Sequence, residues 1–234
     1  MDGQKIILLV SLFLLVGVVL VGALSTSVAT EIEISKGWNL ISMQAEHYSS
    51  SDSFKFSDFK YVYIYDPENK EYLLVIYNGQ EIENVEPRSG FILEQYNKVM
   101  NFGNSLRSRG LEQTYTSQTA VWAYSEKDGK ISYQSESQSL ISLNTGWNFV
   151  GITPEMDGKS IDDIKGTCDV EKAYLFDFVG VNQRWATIFN LLDDKNVLKN
   201  EGKIGGGFIV KVSDDCVFDQ NLISGSVEPP LLPD

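Results

Sequence analysis

Few side chains of this 234-residue sequence have the types and the spacing that catalysis requires. His47 is the only histidine, and a loop residue is a better interpretation of it than a member of a catalytic triad. The acidic pairs at 162–163, 193–194 and 214–215 lack the Asp-x-Asp-x-Asp-Gly array of a calcium loop. With 32 acidic residues in the chain, no two carboxylates stand out for glycoside hydrolysis. We therefore predict no catalytic residue, no metal site and no cofactor.

The two cysteines of the chain are Cys168 and Cys216. In an exported protein an even pair of cysteines indicates a disulfide, which here would close a loop of about 50 residues. A metal site with two cysteines would need further ligands, and His47 lies far away in the sequence. The sequence therefore predicts a Cys168–Cys216 disulfide.

Three consecutive glycines, residues 205–207, have the composition of a phosphate-binding loop. They precede a predicted strand, whereas a phosphate loop leads into a helix whose N-terminus holds the anion. We interpret the run as a β-bulge or as a place where two strands approach closely.

Rows of aromatic residues are the best candidates for a binding surface. One predicted strand places three tyrosines on a single face: Tyr61, Tyr63 and Tyr65. Such a row can stack on sugar rings or anchor a protein partner. A second aromatic strand carries the residues that we take as their counterparts, Tyr174, Phe176 and Phe178. Because this second row is more apolar, a place in the core is the favoured interpretation of both rows.

The elements that position these side chains occur twice. A Gly-Trp-Asn sequence followed by apolar residues is found at Gly37, Trp38, Asn39, Gly146, Trp147 and Asn148. Tryptophan is rare, so the repeat indicates two copies of one β-rich module. We expect both tryptophans to lie in the core, with the preceding glycine allowing a turn or a close approach.

Both copies have the same order of predicted strands. The Gly-Trp-Asn strand is followed by an aromatic hairpin and then by a closing strand. The hairpin strands are residues 61–65 and 72–77 in the first copy, and residues 173–178 and 183–188 in the second. The closing segments are residues 90–93 and 205–212.

A third hairpin is predicted between the two copies. Asp128 and Gly129 favour a tight turn, flanked by strands at residues 121–124 and 130–133. This hairpin is either an insertion in the first module or a strand pair that bridges the two modules.

The predicted fold is therefore mainly β. It has two related small antiparallel modules, sandwich- or barrel-like, after an N-terminal hydrophobic helix. The predicted divisions are the helix at 1–29, module 1 at 30–102, a connecting hairpin region at 103–143, module 2 at 144–224 and a flexible tail at 225–234.

The apolar N-terminal segment predicts export. Residues 6–24 carry no charge and would span about 28 Å as a helix, close to the thickness of the hydrocarbon core of a bilayer. A cleaved signal peptide is the alternative, because residues 27–29 offer a cleavage site after Ala29. The apolar run is longer than a usual signal core and only Lys5 precedes it with a positive charge, so a retained anchor is favoured.

The formal net charge of −13 limits the partners. An acidic exterior repels phosphate groups, so neither nucleic acid nor an anionic lipid surface is a predicted partner of the exported part. The membrane is a partner only through the N-terminal helix.

At residues 37–42 the chain resembles the GWNLIS-type β repeats of exported and cell-surface proteins, many of them archaeal. The second copy looks like the fuller form of that repeat, with residues 166–168 ahead of an aromatic strand and residues 207–213 ahead of Cys216. The first copy lacks both cysteines, so the resemblance implies a disulfide in the second module alone. It implies a location and an architecture, and it carries no activity.

Gly3 and Gln4 give the N-terminus a second resemblance, to archaeal type IV pilin-like proteins. In that family a short leader ends in glycine, and the mature chain opens into an apolar helix that packs in the filament core. Two positions depart from the pattern, because Asp2 is acidic and Leu8 stands where the family has glutamate. The resemblance implies a filament subunit with a β-rich head.

The sequence as a whole favours a membrane-anchored, extracytoplasmic structural or interaction protein of the cell surface that is not an enzyme. We expect a single pass with the C-terminal part outside, or else a secreted protein. A pilin-like filament subunit is the alternative, and a surface hydrolase is disfavoured because no catalytic constellation emerges. The partner, whether a protein, a glycan or another copy of the chain, stays open.

Overall fold

The structure, a computed structural model, describes residues 28–44, 55–86, 88–135, 140–156, 159–179, 182–187 and 204–219. The predicted N-terminal helix and C-terminal tail lie outside these residues, except that Val28 and Ala29 belong to the first strand. In the described part of the chain no helix is long and apolar enough to cross a membrane. This part is mainly β, as the sequence predicts, and its sheets are small and antiparallel.

Strands predominate along the described chain, with a few helices between them. The strands are β1 (Val28–Ile34), β2 (Gly37–Ser42), β3 (Tyr61–Asp66), β4 (Glu71–Tyr77), β5 (Gln80–Glu81), β6 (Ala120–Ser125), β7 (Gly129–Ser135), β8 (Leu140–Leu143), β9 (Gly146–Gly151), β10 (Val170–Val179), β11 (Asn182–Thr187), β12 (Gly207–Val212) and β13 (Cys216–Asp219). The helices are α1 (Gly90–Ser108), α2 (Glu112–Gln118) and α3 (Ile161–Ile164). The sheets have the orders β2-β6-β3-β4-β5, β11-β10-β12-β9, β1-β7 and β13-β8, and over the described residues none closes on itself.

The first unit, residues 28–135, has two layers. β1 and β7 pair with each other and pack against the inner face of the five-stranded sheet. Alternation along β3 buries Val62 and Ile64 in this core, because side chains of a strand point to opposite faces in turn. α1 adds Phe102 and Leu106 to the same core.

The second unit, residues 140–219, repeats this strand arrangement. Its sheet β11-β10-β12-β9 has the order of β4-β3-β6-β2 in the first unit, and its pair β8-β13 corresponds to β1-β7. Ile141 and Phe218 of the pair share one core with Phe208 and Val210 of the sheet. The order of strands therefore agrees between the two copies, as the sequence repeat predicts.

The hairpin predicted around Asp128 and Gly129 is wrong. β6 pairs with β2 and β3, whereas β7 pairs with β1, so the chain crosses from one layer to the other between them. The reason is burial, because Val121 of β6 and Ile131 of β7 enter the same core from opposite layers. The region 103–143, predicted as a connection, therefore supplies β6 and β7 to the first unit and β8 to the second.

The closing strand predicted at residues 90–93 is also wrong, because these residues form the first turn of α1. A short apolar run does not by itself distinguish a strand from a helix. Phe91 and Leu93 remain exposed, and the helix buries Phe102 and Leu106 further along. The closing strand of the first copy is β6.

The predicted disulfide is confirmed. Cys168 and Cys216 are bonded, with their Cα atoms 5.1 Å apart. The bond joins the segment before β10 to β13 and so links the two layers of the second unit. In the first unit Gly129 stands at the position of Cys216, since Gly129 pairs with Ile34 in the way that Cys216 pairs with Leu143.

The two units meet at the glycine run. The backbone amide of Ser42 donates to the Gly205 carbonyl at 2.7 Å. A Cβ atom on Gly207 would overlap the side chain of Ala120 and would lie 2.8 Å from Leu40 Cγ. The interpretation of the run as a close strand approach is confirmed, and glycine is needed there for lack of space.

An apolar cluster surrounds this seam between the units. Its members come from both sheets: Leu40, Tyr65, Ala120, Trp122, Phe149, Phe176 and Ile209. Thr119 adds a polar contact, because its hydroxyl donates to the Phe149 carbonyl at 3.1 Å. The outer faces of the two sheets are therefore in contact at the seam.

Candidate functional site

The repeated Gly-Trp-Asn sequence builds a turn at the start of a strand. In the first copy Asn39 is 1% exposed. Its Oδ1 accepts from the backbone amide of Ser35 at 3.0 Å, and its Nδ2 donates to the carbonyls of Ser35 and Gly37 at 2.9 and 3.1 Å. Gly37 has a φ of 106°, in the region that favours glycine. The glycine and the asparagine are therefore structural.

The second copy makes the same contacts. Asn148 accepts from the backbone amide of Asn144 at 2.9 Å and donates to the carbonyls of Asn144 and Gly146 at 2.7 and 3.0 Å. Gly146 has a φ of 98°. The two turns have the same geometry, and in each a buried asparagine side chain satisfies the same backbone groups. This shared requirement is the physical reason that the sequence repeats.

An aspartate completes each turn, in a role that sequence reasoning missed. The backbone amide of Lys36 donates to Asp128 at 2.7 Å, and that of Thr145 donates to Asp215 at 2.7 Å. The Thr145 hydroxyl also donates to Asp215, and these bonds, the backbone one first, lower the pKa of the Asp215 carboxyl. The signal in the sequence is the position of each aspartate, just before the last strand of its copy.

Replacing Asp215 with alanine is expected to lower the midpoint of thermal unfolding more at pH 7 than at pH 2. The pKa of Asp215 is depressed in the folded protein, so its carboxylate stabilises the fold above the unfolded-state pKa. That contribution is lost as the pH falls through the folded-state pKa. Scanning calorimetry measures both midpoints, and Asp214→Ala, at the exposed neighbour, is the control. An Asp215→Ala shift of equal size at both pH values would contradict the assignment.

The tryptophans of the repeat are not in the core. Trp38 and Trp147 are half-buried. Because side chains alternate along β2, Asn39 and Ile41 face the core of the first unit, and Trp38 and Leu40 face outward. The prediction of core tryptophans is therefore wrong. The outer face of the sheet carries these rings.

The tyrosine row of β3 lies on the same outer face. Tyr61, Tyr63 and Tyr65 are half-buried, whereas Val62 and Ile64 between them belong to the core. The favoured prediction of a core position is wrong for Tyr61 and Tyr63, whereas Tyr65 packs against the apolar cluster at the seam. The inner face of the strand is filled by the aliphatic residues, so the rings are left on the outside.

The strand register also corrects the correspondence between the two rows. Trp122 and Ile209 lie in the strands that pair with the repeated Gly-Trp-Asn strands, and they occupy the same register position in the two sheets. They pair with Tyr63 and Tyr174, which therefore correspond to each other. The counterparts of the predicted tyrosine row are thus Lys172, Tyr174 and Phe176.

Four aromatic rings form a row across the outer face of the first unit's sheet. We call this row the aromatic ladder. The strands β2, β6, β3 and β4 each contribute one residue to it, and neighbouring residues are paired in the sheet: Trp38, Tyr124, Tyr61 and Tyr77. The centroids of neighbouring rings are 5.2, 6.1 and 5.9 Å apart in that order. Each ring is half-buried, so part of it packs on its neighbours and part of it reaches solvent. Sequence reasoning found Tyr61 and missed the other three.

The aromatic ladder consists of phenol and indole side chains and contains no lysine, arginine, aspartate or glutamate. At its edge, Lys60 Nζ lies 5.9 Å from the centroid of the Tyr61 ring. Lys60 forms an ion pair with Glu126, and the hydrogen bond between them raises the pKa of the lysine. Beside the ladder, on the same face of the sheet, burial raises the pKa of Tyr63.

The corresponding row of the second unit contains lysines. Across β9, β12 and β10 it consists of Trp147, Lys211 and Lys172. Lys211 forms an ion pair with Glu171 on the neighbouring strand. At two positions of the row, the first unit therefore has tyrosines and the second unit has lysines on the same arrangement of strands.

A cavity of about 150 Å³ lies between the helices of the first unit and the second unit. Its apolar lining includes Phe102, Leu106, Ile141 and Phe149. Tyr115 also lines it, but its hydroxyl is used in a hydrogen bond to a backbone carbonyl, and burial raises the pKa of this phenol. The cavity has room for a small apolar group, and its ionisable lining residues Glu68 and Arg109 form an ion pair with each other.

Acidic and cysteine side chains of the described residues do not gather into a metal site. No three histidine, cysteine, aspartate or glutamate side chains in these ranges are placed to hold an ion. His47 lies outside the described residues. In comparisons with known proteins, no family model, no curated protein and no solved structure matches the chain.

Proposed function

We propose that this protein is a membrane-anchored, extracytoplasmic structural or interaction protein of the cell surface, and that it binds its partner through the aromatic ladder. The observation that carries the proposal is the ladder itself. Its rings are kept on the outer face of a sheet whose inner face already has a complete apolar core. The proposed role is binding without catalysis.

Half-buried rings in a row favour binding over packing. Their exposed parts leave apolar area in contact with water, and a partner that covers them removes this area. Tyr61, Tyr77 and Tyr124 also carry hydroxyl groups, which keep the free surface soluble and can hydrogen-bond to a partner. Such amphipathic rings suit a surface that is exposed part of the time.

Two features support a location outside the cytoplasm. Disulfides persist in oxidising compartments, and Cys168 and Cys216 form one in the second unit. Residues 6–24 are apolar over a length that fits an anchor or an export signal. We further propose that each unit is a small β-sandwich and that the two units arose by duplication.

The pairing of β1 supports a retained anchor. Val28 and Ala29 pair with Ser135 and Gln134 at the end of β7. Cleavage after Ala29 would remove two residues from this strand pair. In the proposal, residues 1–29 therefore remain attached and hold the β units at the outer surface of the membrane.

Mass spectrometry of the native protein tests the anchor. We expect an N-terminal peptide that begins at Met1 or Asp2. A mature terminus at Thr30 would refute the anchor, and one at Gln4 would favour the pilin-like alternative.

Brief protease treatment of intact cells tests the location. Peptides from residues 28–219 should appear in the medium while a cytoplasmic marker stays inside. Retention of both inside the cells would contradict a surface location.

A further inference from the structure

We infer that the aromatic ladder is a binding site for an uncharged oligosaccharide, whose successive sugar rings stack on Trp38, Tyr124, Tyr61 and Tyr77. The inference rests on the proposed function, since it names the ligand class of the same surface. The juxtaposition that carries it is one aromatic ring on each of four adjacent strands, in register.

The geometry of the ladder suits an extended ligand with flat, repeating faces. Adjacent strands lie about 4.8 Å apart, so paired residues repeat across the sheet at that spacing. The ring centroids follow this repeat at 5.2 to 6.1 Å and form a continuous row. A chain of pyranose rings running across the strands would meet one aromatic side chain after another. Each sugar presents C–H groups to a ring and hydroxyl groups at its rim.

The charges of the protein select a neutral ligand. The ladder has no cation of its own, and Lys60 at its edge is already paired with Glu126. The chain as a whole carries a formal charge of −13, which repels uronic acids, sulfated sugars and nucleic acid phosphates. Neutral sugars need no counter-charge, and the phenol hydroxyls of the ladder can exchange hydrogen bonds with theirs.

A protein partner is less well matched to this surface. Strong protein–protein contacts centre on side chains that fill desolvated pockets. The cavity described above is lined by residues of β3, the β3–β4 turn, the helices, β8 and β9, and no ladder residue lines it. A row of rings that are tilted relative to one another offers repeated shallow contacts in place of a central pocket.

The second unit supplies the substitution that tests the site. Lys172 and Lys211 stand at the positions of Tyr61 and Tyr124, so this strand scaffold accepts lysine there. The variant Tyr61→Lys/Tyr124→Lys removes the two central rings and leaves the backbone positions occupied as they are in the second unit. The control is Tyr96→Ala, which removes a half-buried tyrosine from α1.

Calorimetry with the full chain, in a detergent without a sugar headgroup, measures binding directly. The probes are neutral hexasaccharides of glucose, mannose and N-acetylglucosamine, with hexagalacturonate as the acidic probe. We expect at least one neutral probe to bind, the double variant to bind it roughly tenfold more weakly or worse, and Tyr96→Ala to bind it normally. Near-ultraviolet circular dichroism checks that the double variant is folded, and a second variant, Tyr77→Ala, is used if it is not.

Three results would overturn the inference: no neutral probe binds at millimolar concentration, the ladder variants bind it as the parent does, or the acidic probe binds better. Each of these results refutes the sugar ligand and leaves the surface location of the proposed function in place if protease treatment still finds the protein at the surface. Retention inside the cells would instead refute the proposed function, whatever the calorimetry shows.

Discussion

Replacing Asn39 with alanine is expected to lower the free energy of unfolding by about 3 kcal/mol. The Asn39 amide satisfies the backbone of Ser35 at both its N–H and its carbonyl, and it also donates to the carbonyl of Gly37. The Asn39 side chain is 1% exposed, so water does not readily replace it as the partner of these backbone groups. A buried donor or acceptor without a partner destabilises by about 1–3 kcal/mol, and alanine leaves several.

Urea denaturation followed by circular dichroism measures this loss. Asn101→Ala is the matched control, because Asn101 is an exposed amide on α1 and its removal should change stability by no more than about 0.5 kcal/mol. Asn148→Ala should resemble Asn39→Ala, since it removes the corresponding bonds of the second copy. A loss below about 1 kcal/mol for Asn39→Ala would mean that the turn does not depend on this amide.

The buried asparagine explains why sequence reasoning put the tryptophans on the wrong face. In an alternating strand, apolar residues are expected inside and polar residues outside. Applied to β2, this rule places Trp38 and Leu40 inside and Asn39 outside. The structure has the opposite phase, because the hydrogen bonds of Asn39 make its burial acceptable. Local composition does not reveal that a turn will use the amide.

Features that depend on local chemistry were predictable from the sequence. The strands β3 and β4 and the turn between them follow from aromatic and aliphatic alternation around a polar segment. The Cys168–Cys216 disulfide follows from an even cysteine count in a chain that is predicted to be exported. The repeated Gly-Trp-Asn sequence marked two corresponding strands, and these strands occupy equivalent positions in the two corresponding sheets.

Features that depend on long-range pairing were not predictable. Asp128 and Gly129 have the chemistry of a hairpin turn, yet the flanking strands pair with β1, β2 and β3. For the same reason, only one ring of the ladder, Tyr61, was identified from the sequence as a candidate binding residue. The tyrosines of β3 share one strand and could be found by periodicity, but the ladder runs across strands. Tyr124 and Tyr77 join Tyr61 through a register that no single segment encodes.

The two units stabilise the same strand pattern in different ways. The core of the first unit includes Phe102 and Leu106 from α1, together with Phe56 and Phe59 from the segment before β3. The second unit has the disulfide at a position where the first unit has Gly129. The disulfide and the added aromatic core therefore serve as alternative supports for related layers.

Reduction of the disulfide, or the double variant Cys168→Ala/Cys216→Ala, is expected to destabilise the second unit by up to about 4 kcal/mol. The cysteines are 48 residues apart, and opening so long a loop increases the conformational entropy of the unfolded chain. The folded unit also loses a link between its two layers, from the segment before β10 to β13. The first unit contains no cysteine and should keep its stability away from the seam.

Hydrogen exchange followed by mass spectrometry reports the two units separately. We expect peptides of β8, β10, β12 and β13 to exchange faster after reduction, and peptides of β1, β3 and β7 to be unchanged. Asn39→Ala provides the reciprocal comparison, since it should accelerate exchange in the first unit first. If reduction accelerated exchange equally in both units, the seam around Gly207 and Leu40 would have to couple them into one cooperative structure. If it accelerated neither, packing of Phe208 and Phe218 alone would suffice to hold the two layers of the second unit together.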